Sequence, residues 1–221
     1  MSKTANPAAR SIASALQQRI ADGTYAGGMP IRQAEIAAEF GVSHIPVREA
    51  LAALAQGGLV DIQPNRGAVV TSLTAEQCLE LAEMRVALES LALKQSMKRL
   101  SDGDLALARK AIDEGEASTS LEDRSRWNWQ FHRVLHSRAQ RPFLLSQLEL
   151  LWRHTDRYLQ YTWRHAHYES RSDDEHERLL AAVAVKDEGA AVRLNKRHIL
   201  DAAETAIELL KKPAGTERPA R

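Results

Sequence analysis

The sequence predicts a mainly α-helical chain in two parts: three helices closed by a β-hairpin over residues 9–71, then an all-α antiparallel bundle over 74–211. Three observations carry this. Apolar residues recur at helical spacing along nearly the whole chain. Only one pair of β-prone runs, Leu59–Ile62 and Ala68–Thr71, flanks a turn sequence. From Thr74 onward, six amphipathic stretches follow one another with short connections, the pattern of a helical bundle.

The elements follow in order. Ala9 to Ala21 carries Ile12, Leu16 and Ile20 at four-residue spacing and ends at Asp22-Gly23. Gly27-Gly-Met-Pro30 reads as a turn. A short helix from Gln33 to Phe40 stops at Gly41, and Ser43 is placed to cap a third helix through Val47, Leu51 and Leu54, ending at Gly57-Gly58. Pro46 is tolerated in its first turn, where amides have no helical partner. Pro64-Asn-Arg-Gly67 then turns the hairpin. Beyond it, Thr74-Ala-Glu-Gln77 is a capping-box pattern opening a helix with Leu81, Met84, Leu88 and Leu91. Ser101-Asp-Gly-Asp104 opens a second, running to about residue 117. Stretches at 121–139 and 142–166 are separated near Gln140-Arg-Pro142. Ser172-Asp-Asp-Glu175 reads as another capping box, Asp187-Glu-Gly189 as a turn, and a last helix spans about 190–211. The tail from Pro213 is expected to be disordered.

Composition narrows the function. The longest unbroken apolar run, Leu179 to Val185, is seven residues, far short of the roughly 20 that a membrane-spanning helix needs. Met1 to Pro7 has no apolar core or processing pattern, and a single cysteine, Cys78, permits neither an internal disulfide nor a cysteine zinc site. A soluble cytoplasmic protein is expected. Residues 1–70 hold six Lys/Arg against five Asp/Glu, and the remainder 24 against 24. Any nucleic-acid contact must therefore come from a few placed side chains rather than bulk charge.

Three helices and a hairpin, with a tight glycine turn between the second and third, describe a winged helix-turn-helix. In that arrangement the third helix enters the major groove by its N-terminal end. Arg48, one turn in, is long enough to pair bidentately with a guanine edge. Ser43 and His44 stand where backbone amides favour phosphate, and Arg66 with Gly67 occupies the hairpin tip, within range of a phosphate or the minor groove. Taken singly, Arg48 beside Glu49, or Arg66 in a turn, reads equally well as solvated surface charge. The combination and its order favour DNA.

Gly41-Val-Ser-His-Ile-Pro-Val-Arg-Glu-Ala-Leu51, Gly58-Leu-Val60 and Pro64-Asn-Arg-Gly-Ala68 resemble the GntR family of bacterial transcription regulators, whose usual run here is V-S-R-T-P-V-R-E-A-L, G-L-V and P-N-R-G-A. The resemblance covers roughly residues 10–71 and implies that Arg48 contacts a base or phosphate. His44 stands where the family commonly has arginine, and Ile45 where it has threonine. A neutral imidazole is shorter and weaker than a guanidinium, so operator preference is expected to differ.

The second part holds a histidine constellation. Asn128 and His132 share a helix face at i,i+4 spacing. His176 and His198 are equidistant from position 187, where the chain turns. In an antiparallel hairpin they come level, each about 16 Å up its helix at ~1.5 Å per residue. If the Asn128/His132 face packs on that hairpin, three imidazoles and an amide oxygen converge on a site suited to a borderline divalent metal with open positions. Satisfied interior histidines are the alternative from spacing alone, and His136, His154, His165 and His167 have no evident partners.

Residues 74–210 are similar to the FCD ligand-sensing domain of the FadR-like subgroup, through Glu83-Met-Arg85, Leu88-Glu89, Phe131-His132, Glu175-His176, the Asp187 turn and His198. The resemblance implies a divalent metal, zinc or similar, on D-x-x-x-H plus two later histidines. His132, His176 and His198 match, while Asn128 replaces the aspartate. The neutral amide implies weaker metal binding and an uncompensated charge that favours an anionic ligand; direct hydrogen bonding of Asn128 to an effector without metal is the other outcome. The resemblance also implies Arg85 as the partner of an effector carboxylate, against a local ion pair with Glu89 one turn along. Nine of the eleven aromatics fall between Trp127 and Tyr168, as core filling or pocket wall.

The function expected is a ligand-responsive DNA-binding regulator, a repressor, acting as a homodimer on a palindromic double-stranded operator and sensing a small carboxylate effector, with no membrane partner. A metal-dependent hydrolase using the three histidines is the alternative. No carboxylate is fixed by sequence as its general base, and an enzyme has no need of a winged helix. An architectural helical protein with inert histidines is the third reading.

Overall fold

A computed structural model describes residues 6–21, 23–63, 67–166 and 168–211. Asp22, Pro64, Asn65, Arg66, His167 and the tail from Pro213 lie outside these, so the expectations placed on them have no structural account. The described chain divides into two compact units, Met1–Leu73 and Thr74–Arg221.

The first unit comprises α1 (Pro7–Ala21), β1 (Pro30–Ile31), α2 (Gln33–Phe40), α3 (His44–Gln56), β2 (Val60–Gln63) and β3 (Gly67–Val70). Its core is built from the predicted apolar positions: Ile12 and Leu16 of α1, Ile36 of α2, and Val47, Leu51 and Leu54 of α3, closed by Val60, Ala68 and Val70. Gly41 ends α2 in the left-handed conformation, φ 63 and ψ 36. The next amide, Val42 N–H, returns to the Ala37 carbonyl at 3.0 Å, which turns the chain sharply into α3. The hairpin is antiparallel with Ile62 opposite Ala68. Beyond it a third strand appears that the sequence reading assigned to a turn: Pro30 pairs with Val69 and Ile31 with Ala68, giving the order β1-β3-β2. Two residues are too short for a period-two pattern, and proline is accommodated at a sheet edge. Ser43 occupies the N-cap of α3, yet its side chain makes no capping hydrogen bond.

The second unit comprises α4 (Ala75–Met97), α5 (Asp102–Glu116), α6 (Leu121–His136), α7 (Pro142–Ala166), α8 (Glu169–Ala184) and α9 (Glu188–Lys211). The Ser101/Asp104 capping box forms reciprocally. At α4 the cap is only half intramolecular to the motif. Thr74 Oγ1 accepts from Gln77 N–H at 3.1 Å, but the Thr74 amide donates to Tyr158 Oη, which in turn donates to Gln77 Oε1. Ser172 corrects the reading at α8: the helix begins at Glu169, so Ser172 lies one turn inside it and caps nothing. Tyr168, buried and hydrogen-bonded through its hydroxyl to Glu175, anchors the earlier start. Between α8 and α9, Lys186 takes φ 57 and Asp187 Oδ1 accepts from Ala190 N–H at 2.8 Å. This one-turn reversal lays α9 antiparallel on α8. Two apolar clusters fill the bundle, one around Leu93, Phe131, Leu135 and Leu179, the other around Trp129, Leu148, Trp152 and Trp163.

Candidate functional site

In the first unit, burial of Pro46, Val47, Ala50 and Leu51 fixes which side of α3 faces outward. Ser43, His44, Ile45 and Arg48 are all exposed there. Ile45 is 66% exposed, an apolar side chain with no intramolecular reason to be outside. Gly67, at the base of the hairpin turn, has φ +90, and a Cβ there would stand 2.5 Å from the Ile31 carbonyl oxygen. Only glycine lets the wing close onto β1 at this point.

In the second unit, α6, α8 and α9 bring His132, His176 and His198 together. One ring nitrogen from each lies within 4.8 Å of the others, and all three side chains are buried. Ring centroids are 5.4 Å apart for His132–His176 and His132–His198, and 4.6 Å for His176–His198. The last distance follows from the turn at 186–187, which sets positions 176 and 198 level.

The cluster is short of hydrogen bonds. Both ring nitrogens of His132, Nε2 of His176 and Oδ1 of Asn128 are buried without a partner. Buried polar atoms are ordinarily satisfied, so several orphans around one point mark a place where something else bonds. Three imidazoles so gathered fit a divalent ion such as zinc, and Asn128, four residues before His132 on α6 and beside the same cleft as His176, offers an unpartnered amide oxygen.

Two carboxylates stand behind the imidazoles. His198 Nδ1 lies 2.8 Å from Glu175 Oε2, which leaves its Nε2 for a metal. Glu89 Oε2 lies 3.6 Å from His132 Nδ1. The Glu175 contact is of the kind that fixes the tautomer and raises the basicity of a ligating histidine, whereas Glu89 stands beyond hydrogen-bond distance of His132. Burial pushes Glu175 upward, but His198, Arg171 and Tyr168 outweigh it and hold the carboxyl below its ordinary range. Glu89 is likewise raised by burial and lowered further by Arg85, His136 and Trp152, so it stays ionised inside the bundle. Desolvation, joined by mutual repulsion among the imidazoles and with Arg85, pushes His132 and His176 far below 6.5. Neutral imidazole is the form that ligates metal.

Arg85 is buried, with Nε donating to Glu89 Oε1 at 2.7 Å and the guanidinium 5.1 Å from the Trp129 ring. The local ion pair that the sequence offered as an alternative is therefore formed. Arg85 also lines a small open cleft with Cys78, Tyr158 and Ile199. Burial raises the Cys78 thiol to about 11, which keeps it protonated and unreactive at neutral pH.

Sequence reasoning missed His136. It is fully buried, stacks on Trp152 at 5.8 Å and on His132 at 6.3 Å, and both its nitrogens lack partners. Its i,i+4 spacing from His132 was the available signal. A small open cleft lined by Asn128, Trp163, Ser172 and the Arg124–Asp173 pair includes His176 of the cluster.

Comparison with known proteins agrees with this division. Residues 8–70 match the family model described as bacterial regulatory proteins, gntR family, and residues 80–201 match the FCD domain. The HTH-type transcriptional regulator YdhC of Bacillus subtilis is 32% identical over 196 residues, covering 84% of this chain and 83% of that protein. The gluconate operon transcriptional repressor of the same organism is 29% identical over 141 residues, 64% of this chain and 57% of the repressor. Among solved structures, a GntR-family transcriptional regulator from Pseudomonas syringae superposes with a TM-score of 0.55 at 30% identity, covering 92% of this chain and 86% of that one.

Proposed function

The chain belongs to the GntR family of bacterial regulatory proteins and carries an FCD domain, and from that premise we propose a ligand-responsive transcriptional repressor whose helical domain senses a small organic acid through a bound divalent metal. The observation that supports the sensing half is the convergence of His132, His176 and His198, with both ring nitrogens of His132 and Nε2 of His176 buried and unpartnered and the unpartnered Oδ1 of Asn128 four residues before His132 on α6. When bound, the ion supplies a positive charge and open positions for carboxylate oxygens. The rest falls to the chain. Glu175 orients His198, Glu89 stands behind His132 while holding Arg85, and the neutral Asn128 leaves net positive charge that favours an anion. Arg85 adds a second cation near the site, since its charge acts on His132 and His176 alike.

On the DNA side, Ser43, His44 and Arg48 meet the major groove, with Arg66 and the backbone at Gly67 on the flanking wing. Function as a cytoplasmic homodimer on a palindromic operator matches the docking of two recognition helices one helical turn apart. Met84 and Leu91, exposed apolar side chains a heptad apart on α4, suit a subunit contact. Repression is favoured by the gluconate operon relative, whose name states that role. The effector acts only through its different affinity for the DNA-competent and incompetent states.

The test is footprinting on the chain's own promoter region with metal-loaded, metal-stripped and His176→Ala protein. Protection of a palindromic site that an organic acid relieves only in the metal-loaded parent supports the reading. Equal relief in all three refutes metal-dependent sensing.

A further inference from the structure

We propose that Ile45 is a specificity-determining residue of the DNA interface, reading the 5-methyl group of a thymine in the major groove. This rests on the reading of α3 as the helix that enters that groove. At 66% exposure, Ile45 is the most exposed large apolar side chain among the described residues of the first unit, ahead of Ile62 and Met29. Single apolar side chains on a surface are ordinary. What sets this one apart is its place. It stands where the family resemblance has threonine, so the contact belongs to this chain in particular.

α3 buries Pro46, Val47, Ala50, Leu51 and Leu54 in the core of its unit. Leu54 lies nine residues beyond Ile45, about two and a half turns at 3.6 residues per turn, so Ile45 stands on the opposite side. Its neighbours there, three and four residues along, are Arg48 and Glu49, both exposed. Ile45 is the second residue of the helix, and Cα–Cβ bonds tilt toward a helix's N-terminus. Its side chain therefore leans toward the end of α3 that meets base edges in a helix-turn-helix.

The groove floor fixes the partner. Base edges there carry hydrogen-bond donors and acceptors and, in unmodified DNA, one apolar group, the thymine 5-methyl. An isoleucine side chain neither donates nor accepts, and pressing it on a polar edge would strip that edge of water without return. Against a methyl, both surfaces gain by leaving water. Isoleucine suits the task because on a helix its χ1 keeps to one strongly preferred rotamer, so docking orders little that was free. Cβ atoms three residues apart on a helix are about 5–6 Å apart. At about 3.4 Å per base pair, the thymine is expected within about two base pairs of the contact made by Arg48.

Deoxyuridine differs from thymidine by that methyl alone, which makes the test direct. Full-length protein first selects its site from a random duplex pool. Each thymine of the selected site is then replaced by deoxyuridine, one at a time, and affinity is read by fluorescence anisotropy. At one thymine of each half-site the parent should bind about three- to fivefold more weakly, the scale of burying one methyl; at the others the change should stay below twofold. Ile45→Ala should bind the thymine and deoxyuridine duplexes equally, whereas Ile45→Val should keep most of the difference. Neither variant should lower the melting temperature, because the side chain lies outside the core. The absence of any sensitive thymine, or a sensitivity that survives Ile45→Ala, overturns the proposal. So does a changed subunit number in Ile45→Ala with the thymine dependence intact, which would give the side chain to a protein contact. If Arg48→Ala shifts the selected site but no thymine is sensitive, α3 docks as proposed and the Ile45 assignment alone fails. If the parent enriches no sequence, both fail.

Discussion

The imidazole of His198 and the carboxylate of Glu175 meet at 2.8 Å, Nδ1 to Oε2, across the antiparallel pair α8 and α9. Glu175 is adjacent in sequence to His176, so one turn of α8 supplies both a ring for the cluster and the carboxylate that orients a different ring. Tyr168 and Arg171 hold Glu175 from the other side. Replacing Glu175 with glutamine removes the charge and keeps the shape. Zinc affinity, measured by competition with a chromogenic chelator, should fall 10–100-fold, the range found when outer-sphere partners of metal ligands are lost. An unchanged affinity would mean that His198 needs no such support.

Asn128 is where charge enters the cluster most directly. Its Oδ1 is buried and unpartnered, in the position where the family resemblance places an aspartate. Asn128→Asp should raise zinc affinity by about tenfold or more, since a carboxylate is a stronger oxygen donor than an amide. In metal-free protein the same change should destabilise the fold, because a buried charge without a cation is costly. Opposite signs with and without zinc, read as melting temperatures, are the signature. A fall in both conditions would remove Asn128 from the metal's surroundings.

Acid should unfold the metal-free protein early. Burial, the largest influence, holds His132 and His176 neutral well below their ordinary 6.5, whereas in the unfolded chain both take up protons near that value. The unfolded state therefore binds more protons below pH 6.5, and stability falls as pH drops from there, by up to about 1.4 kcal/mol per pH unit for each histidine. Urea midpoints between pH 7.5 and 5 should decline, and His132→Phe should flatten the curve. A pH-independent midpoint in that window would show that these rings are not kept neutral.

How much of this could be read from residues alone varies with the distance over which the cause acts. The level pairing of His176 and His198 follows from counting outward from the turn at 187, because α-helical rise is constant. The identity of α3 and its exposed N-terminal turn follows from local apolar spacing and Gly41. Ser172 misled because a capping pattern is local, while the true start of α8 is set by Tyr168 packing into the core and bonding Glu175. Arg85 was ambiguous for the same reason: the i,i+4 pair with Glu89 is legible, but Trp152, which also donates to Glu89 at 2.9 Å, comes from 63 residues away. His136 became notable only with Trp152 and Glu89 beside it.

Gly67 is a structural constraint on the wing with a direct test. With φ +90 and a would-be Cβ 2.5 Å from Ile31 O, alanine introduces both backbone strain and a clash with backbone that cannot swing aside. Gly67→Ala should destabilise the N-terminal unit by about 2–3 kcal/mol, seen as loss of amide protection in β1 and β3 during hydrogen exchange. Protection in the helical unit, whose folding does not involve this turn, should be unaltered. Uniform protection across β1 and β3 in the variant would show that the turn can relax.

Arg48 and His44 divide the work of recognition, and substitution can tell their shares apart. Arg48 is exposed on the outward side of α3, one turn from its start, while Val47 and Leu51 beside it are buried and hold the helix in place. Arg48→Ala should therefore leave the fold intact and cost about 1–3 kcal/mol in operator binding if the side chain reads a guanine edge, with the loss confined to specific sequence. Were it a phosphate contact, binding would weaken on all sequences alike and the salt dependence would become shallower by about one ion. His44→Arg, restoring the more usual residue of the family at the first position of the helix, should shift sequence preference and steepen the salt dependence, because a guanidinium adds a charge that neutral imidazole lacks. Selection of bound sequences from a random pool, run at two salt concentrations with the parent and both variants, reads all of these at once. Identical selected sites for the parent and Arg48→Ala would exclude Arg48 from base recognition.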